Sequence, residues 1–341
     1  MLAQNRDALL LTEVAALLHD IGKLSSQFVD QMSQSPSGIS QGFAHENAVE
    51  KITGFVDAQF LNALKSPELR GLLHIKPIPN KEQIGSALDL ILHHDKPRHS
   101  ALLVRLLSRC DGADSGADKG TTRSVGLPKE AKQPFEKTFI ATAFGNETLE
   151  SRIGTNRIDL ARQKLSRRIG EKLISFRDRP EQKRSRILRL AQVAYRCGLG
   201  ETRRSANDVT LWDHSFSVAT LYKASLATFL VRGSLDVDNL HWRLLRVNFD
   251  VLGLYAKAIK IADLLGYQDV VNRACESVKQ LVEEEYPLGN EVYRDTTGIY
   301  FTFPDLDLPA DLAQEIRRRV EAVEMELAPR IAVTVGDGAT A

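Results

Sequence analysis

Apolar residues recur at intervals of three and four along most of this chain, which is the spacing that places side chains on one face of an α-helix. The pattern predicts helices over residues 7–24, 43–65, 81–94, 99–114, 210–230 and 309–327, and one or two more within 241–282. Polar stretches rich in Ser, Gly and Thr at 30–42 and 115–134 interrupt the pattern and predict loops. We therefore expect a mainly α fold.

The spacing of apolar positions changes after Pro287. Residues 290–305 alternate β-branched and aromatic side chains around an Asp-Thr-Thr-Gly turn, which predicts a β-hairpin. Residues 330–335 predict a further strand. We expect a helical domain over 1–280, followed over 281–341 by a small, partial α/β segment.

Composition narrows the class of protein. The 341 residues are 43% hydrophobic and 26% charged, which is ordinary for a soluble globular protein. No apolar stretch is long and uncharged enough to span a bilayer, and acidic residues within the N-terminal apolar run argue against a signal peptide. Cys110, Cys197 and Cys275 form no CxxC pair. This cysteine usage predicts a reducing, cytoplasmic location and no zinc ribbon. The lack of a spanning stretch predicts no membrane partner.

Positive charge is concentrated in one stretch, although the net charge of the chain is only +1. Residues 150–204 carry 16 Lys and Arg against 6 Asp and Glu. Their apolar residues keep the helical spacing, so the stretch predicts a basic helical insertion. Its cations are either a solvated helix face or a surface that contacts phosphates. No ladder of aromatic residues is interleaved with them, so base stacking is not indicated.

His19 and Asp20 are adjacent at the end of the first apolar run, in the sequence LLHDIGK. An imidazole nitrogen and a carboxylate oxygen can bind the same divalent metal. Lys23 follows three residues later and is expected on the same side of a continuing helical turn. A metal ion beside a cation suits hydrolysis of a phosphate ester, so we expect Asp20 and Lys23 to be catalytic.

Further potential metal ligands stand at the ends of other predicted helices. They are His45, the adjacent pair His93 and His94, Asp111, and His214. Nitrogen and oxygen donors without a thiolate favour Mn, Ni, Co or Fe over Zn, as one ion or as a pair. Two alternatives stay open at this stage. Asp114 competes with Asp111, and only one of His93 and His94 need bind, because adjacent helical residues point in different directions.

These motifs resemble those of the HD phosphohydrolase superfamily, which has a first His in a helix, then His-Asp, further His, and a late Asp. The sequence DHSFSVA over 213–219 looks like the first-His helix, and LHDIGK over 18–23 looks like the central motif. Asp111 in RCDGAD matches the closing Asp, and His45 with the His93-His94 pair is similar to the extra ligands of multi-metal members. The first-His helix follows the other motifs here, which is the order of a circularly permuted HD domain.

The permuted order is known from the large, polymerase-like subunit of type III CRISPR effector complexes. Residues 207–215 (NDVTLWDHS) and 289–301 (GNEVYRDTTGIYF) resemble that subunit, the second at the entry into its first palm-like, ferredoxin-like domain. The resemblance implies a permuted HD helical bundle followed by a partial palm-like segment. It also implies a metal-dependent nuclease that cuts single-stranded DNA. The implied partners are the other subunits of such a complex and, indirectly, crRNA and target RNA.

One motif of that subunit is missing. Its palm domains make cyclic oligoadenylate at a Gly-Gly-Asp-Asp motif, which this sequence lacks. We therefore expect an N-terminal piece, or one part of a split subunit, instead of a complete cyclase. Two other functions stay open: a phosphohydrolase of nucleotides or cyclic dinucleotides, and a non-catalytic scaffold of an RNA-guided complex. The basic insertion argues against the first, because a nucleotidase does not need it, and the full ligand set argues against the second.

Overall fold

The structure, a computed structural model, describes residues 2–32, 42–118, 155–196, 198 and 209–334. Its α-helices are α1 (Arg6–Leu17), α2 (Ser26–Met32), α3 (His45–Lys51), α4 (Ala58–Leu64), α5 (Pro67–Leu72), α6 (Leu88–Leu92), α7 (Leu102–Asp118), α8 (Thr155–Leu173), α9 (Pro180–Tyr195), α10 (Leu211–Arg232), α11 (Val251–Tyr255), α12 (Ile261–Gln280) and α13 (Ala310–Glu321). Its strands are β1 (Trp242–Asn248), β2 (Glu291–Asp295), β3 (Gly298–Pro304) and β4 (Arg330–Val333). The predicted fold class, mainly helical with a small α/β segment, is confirmed.

The described residues form two compact units. One contains those of 10–222, and the other contains those of 1–9 and 223–340. The boundary predicted at residue 280 stays a prediction. Within the described part of the chain, no helix has the length and apolar character needed to cross a bilayer.

The helical unit is built around α1. Every residue from 10 to 22 is buried, so this apolar run is surrounded on all sides instead of covering one face of a core. Each fully buried leucine in it contributes about 1.5–3 kcal/mol. The buried setting extends past the end of the helix, and it encloses the polar residues that follow.

Two predicted helices are interrupted, each for a local reason. The helix predicted over 7–24 ends at Leu17, where the N–H of Leu18 is shared between the carbonyl oxygens of Val14 and Ala15 and the turn tightens. A short 3-10 helix then covers Ile21–Lys23. The helix predicted over 43–65 is two helices, α3 and α4, separated by a bend at Gly54, whose φ of +75° favours glycine.

The lengths of a helix and of a loop differ from the predicted ones at two further places. The helix predicted over 81–94 is shortened to α6, because His93 leaves the helical conformation at φ −130°. Helix α7 continues to Asp118, four residues into the predicted loop of 115–134. The rest of that loop, from 119, lies outside the described residues.

The basic stretch forms a helical hairpin of α8 and α9, with residues 150–154, 197 and 199–204 outside the described part. The hairpin is anchored to the rest of its unit by buried arginines. Arg162 donates to the carbonyl oxygens of Leu24 (2.7 Å) and Phe55 (2.9 Å), and its guanidinium lies 3.7 Å from the centre of the Phe55 ring. Part of the positive charge therefore serves the fold, not a solvated face or a phosphate.

The second unit is a four-stranded antiparallel sheet of order β2-β3-β1-β4 with helices between β1 and β2 and between β3 and β4. This is the βαββαβ order of a ferredoxin-like domain. The predicted hairpin is β2 and β3, with Asp295 opposite Gly298, and the predicted last strand is β4. Its first strand, β1, pairs with both β3 and β4. The helices predicted within 241–282 are α11 and α12, and they follow a strand over Trp242–Asn248 that was not predicted.

Candidate metal centre

The tight turn after α1 delivers two ionisable side chains into the core of the helical unit. His19 and Asp20 are both fully buried. Asp20 adopts φ −99° and ψ 18°, a bridge conformation that is sparsely populated and frequent at active sites. Asp20 is therefore placed where four imidazoles can reach it.

Six of the predicted ligands converge on this turn, and we call them the six-residue cluster. They are His19, Asp20, His45, His94, Asp111 and His214. Three overlapping groups within it have donor atoms that lie within 4.8 Å of one another: His19 with Asp20 and His214, His19 with His94 and Asp111, and Asp20 with His45 and His94. Such spacing lets one ion reach all the donors of a group.

The two carboxylate oxygens of Asp20 face different histidines. Oδ2 lies 3.2 Å from Nε2 of His19 and 3.2 Å from Nε2 of His214. Oδ1 lies 3.0 Å from Nε2 of His45 and 3.4 Å from Nε2 of His94. Asp20 thus stands between two pairs of imidazoles, with one oxygen for each.

The other ring nitrogen of each histidine is held by a hydrogen-bond acceptor. Nδ1 of His19 lies 2.6 Å from the carbonyl oxygen of Ala16, and Nδ1 of His94 lies 2.8 Å from that of Ile91. Since a carbonyl oxygen can only accept, Nδ1 carries the proton and the lone pair of Nε2 faces the cluster. Such outer partners fix the tautomer of metal-binding histidines.

For the remaining two histidines, the group that contacts Nδ1 is a carboxylate. Nδ1 of His214 lies 2.7 Å from Oδ2 of Asp114, and Nδ1 of His45 lies 3.2 Å from Oε2 of Glu46. In the part of the chain that the structure describes, the Nε2 atoms of His19 and His214 are buried without a hydrogen bond of acceptable geometry. Buried polar atoms without a partner are costly, and a cation among them would satisfy both. The donor set and these two atoms fit a divalent metal.

The structure separates the alternatives at the two ambiguous positions. Oδ1 of Asp111 lies 3.2 Å from Nε2 of His214, inside the cluster, whereas Asp114 contacts only the outer nitrogen of that histidine. His93 stacks on His99, with ring centres 5.1 Å apart, and lies 3.0 Å from the Lys96 amine. His93 is therefore outside the cluster that His94 joins, because the chain leaves the helical conformation at His93, directly after α6, and the two side chains diverge.

The neighbouring side chains stabilise the negative charges of Asp20 and Asp111. Burial acts to raise the pKa of Asp20, but the charges of His19 and Lys23 outweigh it and hold that pKa well below its ordinary value. Burial likewise opposes ionisation of Asp111, but the His214 imidazole, 3.2 Å away, lowers its pKa. Both carboxylates are therefore anionic oxygen donors at neutral pH.

The pKa values of His19 and His214 are shifted in opposite directions. Burial lowers the pKa of His19. Burial also acts to lower the pKa of His214, but the carboxylates of Asp111, Asp114 and Asp20 raise it well above its ordinary value. These carboxylates favour a positive charge at this point, and a divalent cation would supply it in place of the imidazolium.

The cluster is open to solvent on one side, where Lys23, Asp111 and His45 are partly exposed. The Lys23 amine lies 2.5 Å from Oδ2 of Asp20, and its side chain is partly exposed. Asp111 is 22% and His45 is 20% exposed at the side chain, while His19, Asp20, His94 and His214 are enclosed. A substrate can thus approach past Lys23, Asp111 and His45, with the other donors behind them.

Gly22 permits the close approach of His45 to the turn. A Cβ atom on Gly22 would lie 2.0 Å from the carbonyl oxygen of His45 and 2.6 Å from its carbonyl carbon. Both are backbone atoms, so a larger residue must displace α3 and the His45 ligand with it. The Gly in the HDIGK sequence is thus a requirement of the site geometry.

Replacing Gly22 by Ala is expected to lower the free energy of unfolding by about 1–3 kcal/mol, the usual cost of overpacking. Thermal and urea denaturation followed by circular dichroism would measure the change. Gly71→Ala in α5 is the matched control, because a Cβ there meets nothing within 4 Å. Equal stability of the two variants would contradict the proposed role of Gly22.

Asp114, which the sequence offered only as a rival of Asp111, lies 2.7 Å from Nδ1 of His214. Replacing Asp114 by Asn keeps the shape of the side chain but removes the negative charge that accepts the hydrogen bond from Nδ1 of His214. We expect metal affinity to fall about 10- to 100-fold, as for other outer partners of metal-bound histidines. Titration with Mn²⁺ followed by thermal stability would measure it, and an unchanged affinity would show that Asp114 has no such role.

Sequence reasoning missed the partners that orient the rings. Glu46 follows His45 directly, and that adjacency was a usable signal. The carbonyl groups of Ala16 and Ile91 leave no signal in the side-chain sequence, because any residue could supply them. Both precede their histidine by three positions, the spacing of one tight turn.

Comparisons with known proteins find similarity in the fold and none in the sequence searches. No protein-family model matches the chain, and no curated protein matches its sequence. The crystal structure of the Csm1-Csm4 subcomplex in the type III-A CRISPR-Csm interference complex aligns with TM-score 0.51 and 15% identity, over 97% of this chain and 45% of that chain. The Csm1-Csm4 cassette in complex with AMPPNP aligns with TM-score 0.51 and 15% identity, over 96% and 44%.

A third solved structure, Csm1 in T. onnurineus, aligns with TM-score 0.46 and 16% identity, over 96% of this chain and 44% of that chain. The chain spans less than half the length of the solved chains that it matches. The two alignments with TM-score 0.51 show that it has their fold. The resemblance noted in the sequence is thereby confirmed for the fold.

Proposed function

We propose that this chain is a permuted HD-type, metal-dependent phosphodiesterase that cuts single-stranded DNA within a type III CRISPR effector complex. One observation carries the proposal. Buried imidazoles, each fixed at Nδ1 by an acceptor, direct Nε2 toward the two carboxylates of Asp20 and Asp111. A histidine that served only packing would not need this shared orientation.

Asp20 is proposed to be the shared ligand of the divalent metal, as one ion or as a pair. Its Oδ2 would bind together with His19 and His214, and its Oδ1 together with His45 and His94. Asp111 completes the first group. Divalent ions held there would lower the pKa of a water molecule and offset charge on the phosphoryl oxygens. The absence of thiolates from the cluster favours Mn, Ni, Co or Fe over Zn.

Lys23 is proposed to act on the substrate side of Asp20. Its amine now neutralises part of the charge on Oδ2, and its partly exposed side chain can reach outward to a phosphoryl oxygen. A fixed cation beside the developing charge of the reaction stabilises it most where water is excluded. Lys23 would therefore support catalysis through its charge, without exchanging a proton.

The substrate and the partners are proposed from the fold. The chain has the fold of solved chains from Csm1-Csm4 assemblies, so we propose that it too assembles with the other subunits of a type III complex and lies near crRNA and target RNA. The partly exposed rim at Asp111, His45 and Lys23 suits a polymer that passes over the site. A cytoplasmic location is part of the same proposal.

Cleavage assays with a matched histidine pair test this function. Purified protein with Mn²⁺ or Ni²⁺ is incubated with end-labelled single-stranded DNA, duplex DNA, RNA and mononucleotides. We expect cutting of single-stranded DNA, a loss of more than about a hundredfold in His94→Ala, and near wild-type rates in His93→Ala, because only His94 lies in the cluster. Asp20→Ala reports cleavage from contaminants.

Three results would contradict the proposal. Hydrolysis of mononucleotides with polymers left intact would identify a nucleotidase. Protein that carries no metal after exposure to Mn²⁺ or Ni²⁺ would identify a scaffold. Equal activity of the His93 and His94 variants would show that the cluster is not the reacting site.

A further inference from the structure

A groove runs between α8 and α9 on the basic hairpin. It encloses about 600 Å³, and its floor is aliphatic, formed chiefly by Leu165, Leu190 and Val193. Val193, which lines the groove, is 74% exposed. The groove therefore presents apolar surface at this side chain.

Cations surround this floor. Lys164, Arg168 and Lys172 line it from α8, and Arg186 and Arg189 line it from α9. No acidic residue lines the groove among the residues that the structure describes. The groove thus combines an apolar centre with a purely positive rim.

The rim cations are separate from those that stabilise the hairpin. Arg162 and Arg184, on the same two helices, are buried and bonded to carbonyl oxygens or to Glu13. Lys172 has only a long contact of 3.6 Å with its neighbour Glu171. Rim charges without firm partners are available to a ligand that carries carboxylates or phosphates.

We propose that this groove docks an acidic amphipathic α-helix of a partner protein. Two helices of a hairpin leave a groove into which the side-chain ridges of a third helix fit. An apolar stripe on that helix would cover Val193 and Leu190, and acidic residues on both flanks would meet the rim. This interaction is independent of the proposed nuclease activity.

A nucleic-acid strand fits the groove less well. Phosphates would find donors only on the rim, because the aliphatic lining offers methyl and methylene groups. Bases bind by stacking on aromatic rings, and no aromatic side chain is among the residues that line the groove. The aliphatic floor is the feature that distinguishes a helix from a strand of DNA or RNA.

Peptide binding to the full chain tests the proposal. The probe is a fluorescent 19-residue peptide, the length of α8, with Leu along one helical stripe and Glu on both flanks. Fluorescence anisotropy gives its dissociation constant. We expect Val193→Asp to weaken binding by about tenfold or more. Leu160→Asp is the matched control, because Leu160 is exposed on α8 but does not line the groove.

Charge reversal makes the test specific. The double variant Arg168→Glu with Arg189→Glu is expected to lose the Glu-flanked peptide and to bind a Lys-flanked version that wild type rejects. Arg167→Glu, exposed on the same helix outside the groove, is expected to bind like wild type. Circular dichroism melts of every variant establish that the fold is intact.

Two outcomes would overturn the proposal. One is a Glu-flanked peptide that fails to bind, or that binds Val193→Asp and Leu160→Asp equally. The other is single-stranded oligo(dT) that binds more tightly than the peptide, is lost in the charge-reversed protein and is indifferent to Val193→Asp. That second result would assign the groove to nucleic acid.

Discussion

Replacing Asp20 by Asn is expected to abolish metal binding and, with it, phosphodiester cleavage. The variant keeps the size of the side chain but removes the negative charge that lies between two pairs of imidazoles. Because one oxygen serves each pair, a single substitution disturbs both. The loss should exceed the roughly 10- to 100-fold cost of removing an outer partner.

Metal content and thermal stability measure this effect separately from activity. Wild-type protein passed through gel filtration with Mn²⁺ should carry metal and melt at a higher temperature than the chelated protein. Asp20→Asn should show neither property. Asp95→Asn is the matched control, since Asp95 is an exposed carboxylate close in sequence to His94. A variant that binds metal and cuts DNA as wild type does would remove Asp20 from the site.

Replacing Arg184 by Ala is expected to lower the free energy of unfolding by about 3–5 kcal/mol. Arg184 on α9 and Glu13 on α1 are both buried, and they form two hydrogen bonds of 2.7 and 2.6 Å. The substitution leaves the buried carboxylate without the guanidinium that pairs with it. Urea denaturation followed by circular dichroism would measure the change.

Two further variants distinguish loss of the ion pair from a general effect. Arg186→Ala removes an exposed arginine from the same helix and should change stability by less than about 0.5 kcal/mol. Glu13→Met combined with Arg184→Met should recover most of the loss, because apolar side chains of similar size need no charge partner. Destabilisation that is equal in Arg184→Ala and Arg186→Ala would contradict this account.

Side-chain chemistry made the six-residue cluster predictable. Carboxylates are rarely buried without a partner, so a His-Asp pair at the end of an apolar run already indicated that other polar groups meet it. Five of the six residues of the cluster lie in the first turn of a helix or in the turn that follows one, where the sequence pattern changes. The exception is Asp111, which lies within α7. The choice between His93 and His94 was not predictable, because it depends on where α6 ends, and helix ends are the least certain part of a pattern.

The strand β1 was not predictable from its own residues. In WRLLRVN the apolar residues stand at positions 242, 244, 245 and 247, a spacing that suits a helix as well as a strand. The conformation of β1 is set by β3 and β4, which pair with it from both sides. Both partners lie at least 50 residues later in the chain, so no local window contains the information.

The positions of His19 and His214 give an ion at the cluster a second effect. These two residues lie at opposite ends of the helical unit's sequence, yet their Nε2 atoms face the same oxygen of Asp20. An ion held between them would act as a reversible cross-link that closes almost the whole length of that unit. Closing so long a loop removes much of the conformational freedom of the unfolded chain, so chelation would loosen the entire helical unit.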